Sequence, residues 1–246
     1  MKILVCISKV PDTTAKIAFT ENNTKFDTNG VQFIVNPYDE WYALVRGLEI
    51  KEAQGGSVTV LNVGGAENDP TIRKALAIGA DDAVRIDFEA KDALATATQI
   101  AEFAKAENYD MVLFGKETID YNGSQVGGMV AALLDQPFIS NASKLEMDGN
   151  KGKVERDIQG GKEVIEVEAP FVLSAAKGMA EARIPNMRGI MAARTKPLKV
   201  VEASASADAT EVVSYELPPA KGDVKLVDAD NPAELLELLR NEAKII

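Results

Sequence analysis

Three short, branched apolar runs separated by stretches of helical periodicity constrain this chain more than any other feature. Ile3–Ile7, Val58–Val63 and Met111–Phe114 have the length and branching of strands buried on both faces. Helical patterns fill the gaps. Pro37–Gln54 reads as a helix with Asn36 as its cap and Pro37 at its first position, and Asp69–Gly79 as a second, closed by Gly79. Lys91–Ala106 is a third, with Leu94, Ala97, Ile100, Ala101 and Ala104 on one face. Strand–helix alternation of this kind predicts an α/β fold: an open, mostly parallel Rossmann-like sheet with helices on both faces.

Two departures interrupt the alternation. Residues 12–35 are an insertion in which Asn29-Gly30 predicts a β-hairpin turn. After Gln136-Pro137, the runs Lys144–Met147, Lys153–Ile158 and Glu163–Val167, split by Asp148-Gly149-Asn150 and Gln159-Gly160-Gly161, predict an antiparallel meander. Glu202–Thr210 is rich in Ala, Ser and Asp and reads as a linker. A helix follows from Asn231 to about Lys244, with Pro232 at its first position. Residues 1–200 are thus expected to form a nucleotide-binding α/β domain. Residues 201–246 are expected to form a linker and C-terminal arm that packs on a partner chain or back on its own sheet.

Composition removes whole classes of function. The chain of 246 residues contains no histidine, so Ser-His-Asp and Cys-His catalysis and histidine metal sites are excluded. Its single cysteine, Cys6, lies in the first apolar run, which rules out an internal disulfide and a cysteine cluster and predicts core packing. A net charge of −11 disfavours nucleic acid and anionic membrane surfaces. The apolar run at the start is too short for a signal peptide or a membrane span, so a cytosolic or matrix-like setting without membrane insertion is expected. The sequons at Asn22, Asn122 and Asn141 read as chance matches in that setting.

Neither G-x-G-x-x-G nor G-x-x-x-x-G-K-[ST] occurs. What does occur is Gly115-Lys116-Glu117-Thr118-Ile119-Asp120-Tyr121-Asn122-Gly123-Ser124-Gln125-Val126-Gly127-Gly128, running from a strand into a helix. Glycines let backbone approach a ligand, and free N–H groups at a helix start bind anions, so the segment suits a phosphate or is a structural turn. A second feature is electrostatic. Lys177–Lys199 holds Lys177, Arg183, Arg188, Arg194, Lys196 and Lys199 against the single acid Glu181, with Met179, Met187 and Met191 among them. Methionines among cations suit an adaptable docking surface for acidic partners, or a loop that covers the core.

At these segments the sequence resembles the β subunit of electron transfer flavoprotein, across essentially the whole chain. The resemblance is carried by Val10-Pro11-Asp12, Asn36-Pro37-Tyr38-Asp39-Glu40, Thr71–Asp81, the Gly115–Gly127 loop, Lys153–Ile158, Ala182–Met187 and Gly189-Ile190-Met191. It implies a heterodimer with an α subunit, one FAD shared between the subunits, and a structural AMP held by the β subunit. Carried over by position, the nucleotide-site residues are Cys6, Val63, Asn36, Pro37, Tyr38, Asp39, Gly115, Asp120, Tyr121, Asn122, Gly123, Ser124, Gln125 and Val126. Tyr121, Ser124 and Val126 depart from the residues often seen there, so it is the backbone N–H contacts that carry over at those positions. The resemblance also implies electron carriage, as in fatty acid β-oxidation, from acyl-CoA and other dehydrogenases to a membrane quinone oxidoreductase, without bond-making chemistry in this chain. Arg183, Ile184, Pro185, Met187 and Met191, within residues 180–197, would form the docking loop. The alternatives are an electron-bifurcating relative with a second FAD, a stand-alone nucleotide sensor, or a nucleotide-hydrolysing enzyme. The loop lacks the Gly-Asp-Thr run of the bifurcating type.

Overall fold

The computed structural model describes residues 1–246. A nine-stranded sheet organises the chain. Its parallel centre is built from β1 (Lys2–Cys6), β6 (Ser57–Val63), β7 (Asp82–Asp87), β8 (Met111–Gly115), β12 (Phe171–Ala175) and β13 (Leu198–Glu202), and one edge is the meander β9 (Phe138–Asp148), β10 (Lys151–Ile158) and β11 (Gly161–Glu168). The spatial order is β11-β10-β9-β12-β8-β1-β6-β7-β13. The meander is therefore no separate layer: β9 pairs parallel with β12 on one side and antiparallel with β10 on the other. Outside the main sheet, β2 (Lys9–Pro11) pairs antiparallel with β5 (Phe33–Val35), and β3 (Phe19–Thr20) with β4 (Lys25–Phe26).

β1 explains the unbroken apolar run. Ile3, Val5 and Ile7 point into a core cluster on one face, beneath α1 (Asp39–Gln54) and α2 (Asp69–Ile78), while Leu4 and Cys6 point into a second cluster on the other. That second cluster is completed by α3 (Ala93–Glu107), through Ala97, Ile100, Ala101 and Ala104, and by α4 (Val126–Leu134), through Val130 and Ala131. A strand covered on both faces has no polar side to show.

Several sequence expectations need correction. α1 begins at Asp39, and Asn36 does not cap it. The Asn36 side chain is engaged elsewhere, donating to Glu117 O and accepting from Ile119 N–H, both at 2.9 Å. Tyr38 occupies the cap position at φ 64° without a side-chain bond. α3 is capped by Asp92, and Leu94 in its first turn stays 39% exposed while Ala95 is buried. The hairpin of the insertion turns at Glu21-Asn22-Asn23, all at positive φ, whereas Asn29-Gly30 turns the chain between β4 and β5, which do not pair. Asn tolerates the left-handed region, which is why either site could host the turn.

Three strands of the main sheet, β7, β12 and β13, lie outside the runs picked out by periodicity. In β7 the apolar pattern is broken by Arg85, which is buried because Asp69 at 2.8 Å, Asp87 at 2.6 Å and the Gly64 carbonyl surround its guanidinium. The C-terminal helical stretch keeps close to its expected span but changes form: α6 covers Pro232–Leu238 and a π-helical turn continues it over Leu239–Ala243, with none of its residues buried. No helix is long and apolar enough to cross a membrane.

Candidate functional site

β1 is flanked by β6 and β8, so the strand order reverses between β1 and β8. Connections leave such a point in opposite directions and open a crevice at the carboxyl ends of the strands. Here the crevice is a cleft of about 560 Å³. Its floor is Cys6, Val63 and Phe114–Gly115 at the strand ends. One wall is the segment from Lys116 to Gly127, and the other is Phe88–Ala93 with Thr96 and Ile100 of α3.

The wall formed by the Gly115–Gln125 loop is fixed from behind. A Cβ on Gly115 would lie 2.6 Å from the Glu40 backbone nitrogen, so glycine is what allows the loop to close on the start of α1. Asn36 holds Glu117 and Ile119, and Asn122 N–H bonds back to Thr118 O at 2.9 Å. Beyond that bond Asn122 and Ser124 adopt positive φ, and the N–H groups of Gly123, Ser124 and Gln125 make no bond within the chain. Unbonded N–H groups in such a turn, placed at the start of α4, form an anion site. Gly123 has nothing within 4 Å of where a Cβ would stand, so the approach is open. Ser124 Oγ is turned away, donating to Glu117 Oε2 at 3.1 Å, which leaves the backbone as the available donor.

Charges in the cleft are mostly locked. Lys116 pairs with Glu117 at 2.9 Å, which raises the lysine and lowers the acid from their usual values. Glu40 is buried, and its carboxylate accepts from Ser8 N–H at 2.6 Å and Ser8 Oγ at 2.7 Å. Burial pushes its pKa up to about 8 against those bonds, helped by Asp120 and Asp39. Burial, with Glu40 second, also raises the Cys6 thiol well above its ordinary value, so it stays protonated. Thus Cys6 packs in the core and also touches the cleft floor.

Of the residues carried over by resemblance, Cys6, Val63, Gly115, Asp120, Tyr121, Gly123, Ser124, Gln125 and Val126 line this one cleft. Asn36, Pro37, Tyr38, Asp39 and Asn122 do not; Asn36 and Asn122 act on the loop from behind, and Tyr38 is 60% exposed at the start of α1. Sequence reading missed Ser8, Glu40, Asn62, Asn68, Asp92 and Thr210. Gly64-Gly65, directly after β6, was the one visible signal, since a Cβ at Gly64 would collide with the Asn68 side chain. Asn68 Nδ2 donates to Asn62 Oδ1 at 2.8 Å, and Asn62 Nδ2 donates to Ile7 O at 2.9 Å, a buried chain that ties two strand ends together.

The basic, Met-containing segment lies apart from the cleft, around α5 (Met187–Ala193). Asn186 caps that helix through Gly189 N–H at 2.8 Å. Ile184 is 90% and Met187 74% exposed, and Met191 is exposed as well. Pro185 lines a shallow groove against Pro70, Arg73 and Ala77 of α2. Arg183 faces back into the chain, its two terminal nitrogens on Glu52 at 2.6 and 2.9 Å, with Trp41 Nε1 donating to its carbonyl. Lys196 likewise turns inward, donating to Leu76 O and Ala80 O at the end of α2. Met179 is a core residue, not part of a docking surface. Lys177, Arg188, Arg194 and Lys199 form no ion pair in the chain.

Comparison with known proteins agrees with this architecture. The family model for the electron transfer flavoprotein domain matches residues 23–206. The chain is 35% identical over 261 aligned positions to the electron transfer flavoprotein subunit beta of Bacillus subtilis, covering all of both chains. It is 34% identical to the protein of the same name from Syntrophomonas wolfei, covering all of this chain and 98% of that one. Against the pig protein, again electron transfer flavoprotein subunit beta, identity is 33%, covering all of this chain and 99% of the other. With a full-length match to these relatives and a sheet that opens its cleft at the β1–β8 reversal, the chain belongs to the electron transfer flavoprotein β-subunit family.

Proposed function

We propose that this chain is the smaller half of a two-subunit electron carrier, holding one AMP in the cleft and enclosing one FAD together with an α subunit. The observation that carries the AMP assignment is the set of unbonded N–H groups at Gly123–Gln125, at the edge of a cleft within the size range of small-ligand sites. Backbone donors bind a phosphate without needing a lysine, which fits a wall whose one lysine, Lys116, is already paired. Apolar side chains at Leu61, Phe88 and Ile100 suit the flat face of a base.

The fit to FAD rests on a different place. Tyr38 presents a largely exposed ring next to the loop that Asn36 secures, where it can lie against a flat ring system and limit water access. FAD, when bound, supplies the capacity to take up and give up electrons. This chain orients it and shields it, and no residue here has to act as acid, base or nucleophile.

Docking is assigned to Ile184, Met187 and Met191, with Arg188 and Arg194 beside them. Apolar tips among unpaired cations suit the acidic surface of a donor such as an acyl-CoA dehydrogenase and of a membrane quinone oxidoreductase that receives the electrons. The exposed apolar residues of the tail, including Leu226, Leu235 and Leu236, are assigned to contact with the α subunit. A cytosolic or matrix setting follows from that chemistry. Co-expression with the α-subunit gene, purification and acid extraction tests the reading. Each heterodimer is expected to release about one FAD and about one AMP. Two flavins would overturn the AMP assignment, and no flavin would overturn the carrier itself.

A further inference from the structure

The segment that follows β13 does not hang free, although its composition marks it as a linker. Ser204 N–H donates to Gln99 Oε1 and Gln99 Nε2 donates to Ser204 O and Ser206 Oγ, each at 2.8 Å. Farther along, Asp92 uses its two carboxylate oxygens for two tasks. Oδ1 accepts from Ala95 N–H at 2.7 Å and caps α3, while Oδ2 accepts from Ala209 N–H at 2.5 Å and Thr210 N–H at 2.8 Å. Lys91 N–H donates to Asp208 Oδ1 at 3.1 Å. All of these attachments lie on the wall of the cleft that carries α3.

The next attachment is to the β3–β4 hairpin of the insertion. Tyr215 N–H donates to Asn23 O at 2.7 Å, and its ring stacks on Phe19 with centroids 4.8 Å apart and planes within 7°. Its hydroxyl lies near that of Tyr121, in the Gly115–Gln125 loop, and with burial this raises the Tyr121 phenol to about 12. Between the two anchor points Thr210 and Val212 line the cleft itself. A stretch without helix or strand thus runs past the cleft from its α3 wall to the β3–β4 hairpin, with Tyr121 of the other wall beside its far end. It is held by contacts that can part without breaking any bond of the sheet.

We propose that residues 204–215 form a lid over the nucleotide cleft, clasped by Asp92 on the α3 wall and by the Phe19–Tyr215 stack on the β3–β4 hairpin, and that unclasping admits and releases the ligand. The proposal rests on the nucleotide reading of the cleft. Asp92 suits a clasp because its N–H donors, Ala95 first, then Thr210 and Ala209, hold it below the ordinary carboxylate range, so it stays an acceptor at neutral pH. The lid also continues directly into the exposed C-terminal tail, so whatever grips the tail restrains the lid.

The test is nucleotide exchange in the full-length chain purified with its partner subunit, loaded with radiolabelled AMP and chased with unlabelled AMP. Asp92→Asn keeps an oxygen for Ala95 N–H but turns an amide donor towards the N–H groups of Ala209 and Thr210. Tyr215→Ala removes the other clasp. Each substitution is expected to speed uptake and release together, release by about tenfold, because a gate lowers both barriers. For Tyr215→Ala, whose side chain lies outside the cleft lining, the Kd from equilibrium dialysis should move less than about threefold, and Tm by no more than a few degrees. A weakened Kd with unchanged uptake would overturn the lid, because these residues would then be ligand contacts. Unchanged rates in both variants would overturn the lid while leaving the nucleotide site intact. If the unmodified complex takes up no labelled AMP, the nucleotide reading falls and the lid with it.

Discussion

Glu40→Gln tests whether the floor of the cleft carries a proton that the unfolded chain would lose. In the folded chain Glu40 is buried and its pKa rises from 4.5 to about 8. The folded form keeps the proton across that window, while the unfolded form gives it up near 4.5. Folding therefore binds a proton there, and stability falls as pH rises, with a slope of at most about 1.4 kcal/mol per pH unit for one group. The advantage is complete below about 4.5 and gone above about 8. Over the whole window the ceiling is about 5 kcal/mol. Glutamine is nearly the same shape and can still accept from Ser8 N–H and donate to Ser8 Oγ, but it does not titrate. Urea unfolding of both proteins at pH 5, 7 and 9 isolates the effect, since groups not coupled to Glu40 cancel in the difference. The variant should gain on the parent by about 2–4 kcal/mol between pH 5 and pH 9. Parallel curves would refute the reasoning, because they would mean that Glu40 titrates like an ordinary surface acid.

Met187→Ala should weaken productive docking to the donor dehydrogenase by about ten- to a hundredfold, since burying such a side chain at an interface is worth roughly 1.5–3 kcal/mol. Flavin content and Tm should hold, because Met187 is 74% exposed; a lowered Tm with normal electron transfer would reject the docking role. Tyr38→Ala should shift the flavin absorbance or its reduction potential without loss of the heterodimer, and an unchanged spectrum and potential would count against contact with the flavin ring.

What the sequence made legible follows from how each element is buried. β1, β6 and β8 were readable because strands covered on both faces show nothing but apolar residues. The Gly115–Gln125 loop was readable because a backbone site advertises itself through glycine. β7 was not, since Arg85 looks like a surface residue until Asp69 and Asp87 are seen around it. Glu40 was hidden for the reverse reason: an acid in the first turn of a helix normally faces solvent and favours the dipole, and only the fold reveals that this one points inward to Ser8. The lid was invisible because an Ala/Ser/Asp stretch is tethered here through its backbone, and backbone hydrogen bonds leave no compositional trace.

The base of the Met187 loop is built more firmly than its exposed tip suggests. Arg73 donates from one nitrogen to Ala193 O at 2.8 Å and Lys196 O at 2.6 Å, while Lys196 Nζ reaches the carbonyls of Leu76, in the last turn of α2, and of Ala80 just beyond it. A Cβ on Gly189 would collide with Ala77 O, so α5 lies directly on α2. In the docking role proposed above, a side chain mounted on such a pedestal would arrive already aimed, and association would not have to freeze a wandering loop. The mounting and the exposed tip are thereby independent: under that proposal the side chains at 184, 187 and 191 could be exchanged to suit a different partner without rebuilding the ground they stand on.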